Sequence, residues 1–286
     1  MIDWFLDPFQ FDFMQRALLA GVLAAITCAV VGTWVVLRGL AFMGDALAHG
    51  VLPGIALAFL WGIDLTVGAL VSAGVMVAGI NLVNRRGHLR EDTGIGLLFV
   101  GMLALGVIII SRAQTFATDL TGFLFGNVLG VTTADLRVQV AAVVVALATC
   151  ALLYRPFLAL AFNDRKAALL GLHPRLANVA LLALIAIAVV SSFQAVGTLL
   201  VFGLLIAPPA TASLLVRRVP TMMVTAAIIG VVSVALGLVV SFHHDTAAGA
   251  TMAGVAVLVF FVVLAGTEVA AALRTPRRST TGQPVA

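Results

Sequence analysis

The amino-acid sequence predicts an all-α fold, a polytopic membrane protein with eight to nine transmembrane helices, and three observations carry that reading. Of the 286 residues, 62% are hydrophobic and only 10% are charged, whereas soluble domains carry roughly 25% charged residues. Apolar runs recur almost without pause at the length, roughly 20 residues, that a helix needs to cross the hydrocarbon core. The basic residues that interrupt these runs gather in alternate connections, the bias that orients a bilayer-spanning chain.

Taken in order, the opening "MIDWFLDPFQFDF" holds Asp3, Asp7 and Asp12 and no basic residue, unlike the positively charged start of a cleaved signal peptide. Residues 1–12 are therefore expected as an outer N-terminal segment, and the first apolar run is retained as a span. Spans are expected over 13–36, 44–61, 67–83, 94–110, 138–153, 177–192, 198–215, 222–242 and 250–272. Nine crossings put Arg85, Arg86 and Arg90 on one side with Arg155, Arg165, Lys166 and Arg175, with Arg217 and Arg218, and with Arg274, Arg277 and Arg278. Adding Arg38, thirteen of the sixteen basic residues share that side. The positive-inside rule makes it cytoplasmic in the cell membrane, with the N-terminus outside and the C-terminus inside. Residues 112–135 and 191–197 are alternatives to this count, as pieces that dip into the membrane and return. No polar block is long enough for a second domain, so 1–286 reads as one transmembrane domain ending in a disordered cytoplasmic tail over 274–286.

Several function classes are excluded on chemical grounds. The net charge of +4 and the high isoelectric point follow from the cytoplasmic arginines, and no basic patch with interleaved aromatics suggests nucleic acid. A phosphate-cradling loop needs a glycine-rich turn followed by Lys and Ser or Thr, yet the single lysine, Lys166, precedes Ala167. No H-E-x-x-H pattern supports an intramembrane metalloprotease. Cys28 and Cys150 sit inside apolar runs and read as small core residues. No permanently bound cofactor is expected, and the chain is not expected to be an enzyme.

What remains is a small set of polar residues where polarity is costly. In "GDALAHGVLPG", Asp45 and His49 stand at i and i+4, on one helix face, where a carboxylate oxygen and an imidazole nitrogen can reach one small ion. An aspartate near the bilayer centre costs about 2.5 to 3.5 kcal/mol on insertion scales, which suggests a task. The alternative is structural, with Asp45 capping the second span near its cytoplasmic end and His49 bonded to it. Gly50 and Gly54 make a small-xxx-small pair and Pro53 releases a carbonyl between them, which suits either a packing helix or one broken around a site. Pro208 and Pro209 must kink or interrupt the seventh span, as a gate or as static packing. His243, His244 and Asp245 at the outer end of the eighth span are weaker metal candidates, the alternative being a solvated loop.

Four stretches together carry a resemblance: "LRGLAFMGDALAHGVLPGIAL" from Leu37, "EDTGIGLLF" from Glu91, "TDLTGFLFGNVLGVTTADL" from Thr118 and "VGTLLVFGLLIAPPATASLL" from Val196. In this order and spacing the chain resembles the permease subunits of ABC importers for manganese, zinc or iron. The resemblance implies a homodimer, two cytoplasmic ATPase subunits that bind ATP, and an extracytoplasmic binding protein that delivers the ion. It implies Asp45 and His49 as the metal-contacting residues of the pathway, with Mn2+ or Zn2+ as cargo, and a two-fold dimer would present that pair twice. It further implies that 163–177, "NDRKAALLGLHPRLA", docks on the ATPase through Asp164, Ala168, Gly171 and Leu172, the alternative being an ordinary interfacial loop helix. The rival from another class is a secondary transporter driven by an ion gradient, which needs no ATPase.

Overall fold

The structure is a computed structural model, and it describes residues 7–86, 91–111, 126, 128–162 and 174–274. Among them are eleven α-helices, here α1 (Asp12–Leu37), α2 (Ala41–Gly50), α3 (Leu52–Trp61), α4 (Leu65–Arg86), α5 (Glu91–Ser111), α6 (Thr133–Leu152), α7 (Tyr154–Phe162), α8 (Pro174–Val196), α9 (Thr198–Leu215), α10 (Val219–His244) and α11 (Ala248–Arg274). All-helical architecture is what a bilayer demands, since each helix satisfies its backbone polar groups internally. Nine spans among the described residues are long and apolar enough to cross a membrane, α2 and α3 together making one of them.

α1 is the central element. Its Ala17, Ala20, Ala24, Ala25, Cys28 and Ala29 are all buried, a small-residue face that lets neighbouring backbones approach closely, as membrane helices do without a hydrophobic drive between them. α9, α10 and α6 pack along it. Gly32 of α1 faces the Leu205 carbonyl of α9 so closely that a Cβ there would collide with it. That carbonyl is the one Pro209 leaves without its helical donor. α9 nevertheless runs unbroken through Pro208 and Pro209, both buried, so of the two expectations for this span, interruption does not occur.

Contacts sort the helix ends into two groups. Phe13 and Met14 share a cavity with Asp245 and Ala248, and Asp12 shares another with Thr132, so the starts of α1, α6 and α11 lie at one end, rich in aspartate. Arg38 reaches Asn178 and Trp34 meets Tyr154, so the end of α1 and the starts of α7 and α8 lie at the other, rich in arginine. Gly197, at φ 78°, joins α8 to α9 in a single residue, and Gly126, at φ 70°, packs directly on it with no room for a Cβ. Residues 191–196 simply continue α8; they form no separate re-entrant piece. The other re-entrant alternative falls mostly outside the described residues, as do the tail beyond Arg274, residues 1–6, and the docking residues Asp164, Ala168, Gly171 and Leu172.

Candidate functional site

The second span is two helices. α1 ends in a Schellman turn, with Gly39 N–H donating to Val36 O and Leu40 N–H to Val35 O, and Gly39 takes φ 67°, where glycine pays no steric penalty. α2 starts two residues later at Ala41 and stops at Gly50; α3 restarts from Val51 with Pro53 in its first turn. Proline is tolerated there because a first-turn amide has no helical partner. The buried Ser72 hydroxyl of α4 donates to the Gly50 carbonyl at 2.8 Å, satisfying an acceptor at the break. The expected start at Gly44 is three residues late, and Asp45, fifth in α2, is not a cap: Leu40 holds that position.

Each polar residue of α2 is placed by its apolar neighbours. Met43, Ala46, Leu47 and Ala48 are buried, and Gly44 sits against α9, where a Cβ would stand 2.6 Å from Leu205 Cδ2. The opposite stripe carries Phe42, Asp45 and His49 at i, i+3 and i+7. His49 Nε2 lies 3.4 Å from Asp45 Oδ1, with the two side chains 25% and 30% exposed. That separation is longer than a good hydrogen bond, so the two donors converge without being fully spent on each other. Phe99 of α5 supports the ring from the side: its centroid is 5.8 Å from the His49 ring and 5.7 Å from Phe42, edge-on to both. Phe42 itself is 46% exposed, so the pair lies at the rim of an open face.

Gly50 and Gly54 serve packing. A Cβ on Gly50 would stand 3.2 Å from Met76 of α4, and Gly54 and Gly68 press backbone to backbone. Phe99, Ser72 and Met76 were not singled out in the sequence. Phe99 closes the "EDTGIGLLF" stretch, but nothing local announces a contact across fifty residues.

The second cluster is not assembled as ligands. His243 Nδ1 lies 2.9 Å from the Val239 carbonyl one turn back. His244 and Asp245 are exposed, and Asp245 ends α10 at φ 49°. Ser241 donates to the Thr246 carbonyl at 2.6 Å to close the turn. Among the described residues no three His, Cys, Asp or Glu side chains gather in a group able to hold an ion. Asp245 lines an outer cavity of about 600 Å³ with Phe13, Met14 and Gly126.

Comparison with known proteins agrees with this architecture. The model of the ABC 3 transport family matches residues 10–267. The chain is 38% identical over 271 residues to the "Probable iron transport system membrane protein" of Haemophilus influenzae, covering 94% of this chain and 99% of that one. It is 38% identical over 253 residues to the "Manganese transport system membrane protein MntC" of Listeria monocytogenes, covering 88% and 90%. Its fold matches a chain of "PsaBC from Streptococcus pneumoniae in complex with Fab" with a TM-score of 0.82 at 32% identity, over 92% of this chain and 95% of that one. With a family match over residues 10–267, relatives aligned over most of both chains and, among the described residues, nine membrane-length helices of which α1 is the buried centre, the chain belongs to the ABC 3 transport family and is a multi-pass permease.

Proposed function

We propose that the chain forms the ion pathway of an ATP-driven importer of divalent transition-metal ions, manganese or iron foremost, with zinc admitted by the same donor set. It works as a homodimer in the cell membrane. ATPase subunits dock at the arginine-rich, cytoplasmic end, where the C-terminus also lies, and an extracytoplasmic binding protein delivers the ion at the aspartate-rich end. The single observation that carries this reading is the convergence of Asp45 and His49 to 3.4 Å on the open stripe of α2. Relatives named for manganese and iron transport support the choice of cargo, and the positive-inside bias supports the orientation.

One carboxylate oxygen and one imidazole nitrogen are too few for a transition ion, but two copies about a two-fold axis supply two of each. Ionisable side chains inside a membrane face a cavity or one another, and here the exposed stripe turns both toward the space a second copy would close. α2 is a short unit, ten residues between the Gly39 turn and the Val51 break. ATP binding closes the ATPases, the inner ends of the spans move with them, and α2 re-aims its two donors so that the ion exchanges from one side to the other.

Uptake of labelled manganese, iron(II) and zinc by cells carrying the whole system tests this. Asp45→Asn and His49→Ala are each expected to abolish uptake at parental membrane abundance, and the metal that the parent takes up best identifies the cargo. Undiminished uptake in both variants would remove the ion from this pair.

A further inference from the structure

The two stems of the segment 163–173 close on the same helical turn. α7 leads into that segment, and it sets Tyr154 and Phe157 edge-on against the Trp34 ring, with centroids 5.6 and 5.4 Å away. Both Trp34 and Phe157 are fully buried. α8 leads out of the segment, and in its second turn Asn178 Oδ1 accepts from Arg38 Nη1 at 2.6 Å, bridging 140 residues of sequence. Trp34 and Arg38 stand at i and i+4 at the end of α1, one above the other on a single face. Immediately beyond them come Gly39 and then α2, which carries Asp45 and His49.

We propose that this last turn of α1, held by Tyr154 and Phe157 on one side and Asn178 on the other, is the linkage through which movement of the ATPase-docking segment reaches the metal-bearing helix. Arg38, Asn178 and Trp34 are positioning residues in it. The linkage rests on the reading of 163–177 as the docking segment, given above, whose last four residues are the first turn of α8. Two features make the arrangement suited to transmission. The grip is stiff: a charged donor in a short, partly buried hydrogen bond and an aromatic cluster in which Trp34 and Phe157 are fully buried resist sliding. The joint beyond it is a single glycine: Gly39 takes φ 67° and a Cβ there would meet nothing within 4 Å, so backbone change at this residue displaces no neighbouring side chain. Hinges of this kind absorb backbone change in one or two residues while the helices on either side stay rigid. At its far end α2 stops at the Val51 break, where Ser72 holds the Gly50 carbonyl, and along its length it packs on α5, α8 and α9. A displacement imposed on Arg38 therefore turns α2 between two joints and re-aims the Asp45 and His49 side chains.

The test uses the reconstituted complex of permease, ATPase and binding protein in liposomes, reading ATP hydrolysis and manganese uptake on the same vesicles. Asn178→Ala is expected to keep hydrolysis near the parental rate and to lower manganese carried per ATP by about tenfold, the order that one hydrogen bond to a charged group is worth. Manganese binding to the detergent-purified complex stays at the parental level, because Asp45 and His49 are untouched. Asn178→Asp restores an acceptor for the Arg38 guanidinium and is expected to recover most of the ratio, which a merely structural loss at this position would not do. A parental ratio of manganese to ATP in Asn178→Ala overturns the linkage, as does a lowered ratio in Asn178→Asp equal to that of the alanine variant. The docking premise is read separately: Leu172→Asp is expected to lose the ATPase on co-purification. If it retains the ATPase, the docking reading fails and the linkage with it.

Discussion

Asp64 shows how much one exposed side chain can fix. It lies just before α4, and its Oδ1 accepts from the Thr66 amide at 2.8 Å and from the Val67 amide at 3.4 Å, the role of an N-cap. The Thr66 side chain and amide hold its carboxyl below the ordinary carboxylate range, against a smaller opposing effect of burial. A carboxylate whose folded value is depressed contributes stability that is present above its unfolded value and lost as pH falls through the folded one. Asp64→Ala is therefore expected to cost about 1 kcal/mol at neutral pH, and thermal unfolding in detergent should show the gap to the parent closing below about pH 4. A gap that stays constant with pH would deny the cap its charge. The same scale separates what was legible in the sequence from what was not. Asp45 and His49 stood out because an i, i+4 pair is local and polarity in a span is costly. Phe99, which supports the His49 ring, and Ser72, which holds the carbonyl at the break, act across long sequence separations, and no periodicity marks them.

At the scale of elements, the pairing of α3 with α4 depends on two glycines. Gly54 and Gly68 each meet the other's backbone carbonyl where a Cβ would need to be, and backbone cannot move aside as a flexible side chain can. Gly54→Ala is expected to destabilise the purified chain by about 1 to 3 kcal/mol, the usual cost of overpacking. Gly74→Ala, in α4 with nothing within 4 Å of its Cβ, should instead be neutral or gain up to roughly 1 kcal/mol from helix propensity. Equal melting temperatures for the two variants would refute the contact. Hydropathy located the nine spans found among the described residues, yet several helices run further than their apolar windows. α6 begins at Thr133 and not near 138 because Thr132 and Asp135 form a capping box around a polar first turn. α8 begins at Pro174, a residue suited to a first turn and invisible to an apolar window. The break at Val51 was legible as a possibility from Gly50, Pro53 and Gly54, but the choice between a kinked and a broken helix rested on Ser72, twenty-two residues away.

For the whole molecule, the decisive number is how many ions two chains hold. On the proposed reading each chain would bring one oxygen ligand, from Asp45, and one nitrogen ligand, from His49, on the face of α2, and among the described residues no third acidic, histidine or cysteine side chain joins them. A site confined to one chain would leave most of the coordination sphere to water, with little basis for selecting a transition ion over the abundant hard cations. A site shared across a two-fold axis doubles the donors without any new residue, and the half-exposed Phe42 beside the pair leaves the stripe open for that approach. The expected stoichiometry is one manganese for every two chains, measured by elemental analysis of the purified complex against its protein concentration. A complex that combines one parental chain with one Asp45→Asn chain keeps three of the four donors. It is expected to bind manganese more weakly than the parent but more tightly than the doubly substituted form, because the two copies act on one ion. One ion per chain, or a mixed complex in which half the sites bind with parental affinity and half not at all, would place each ion within a single chain and dissolve the shared site.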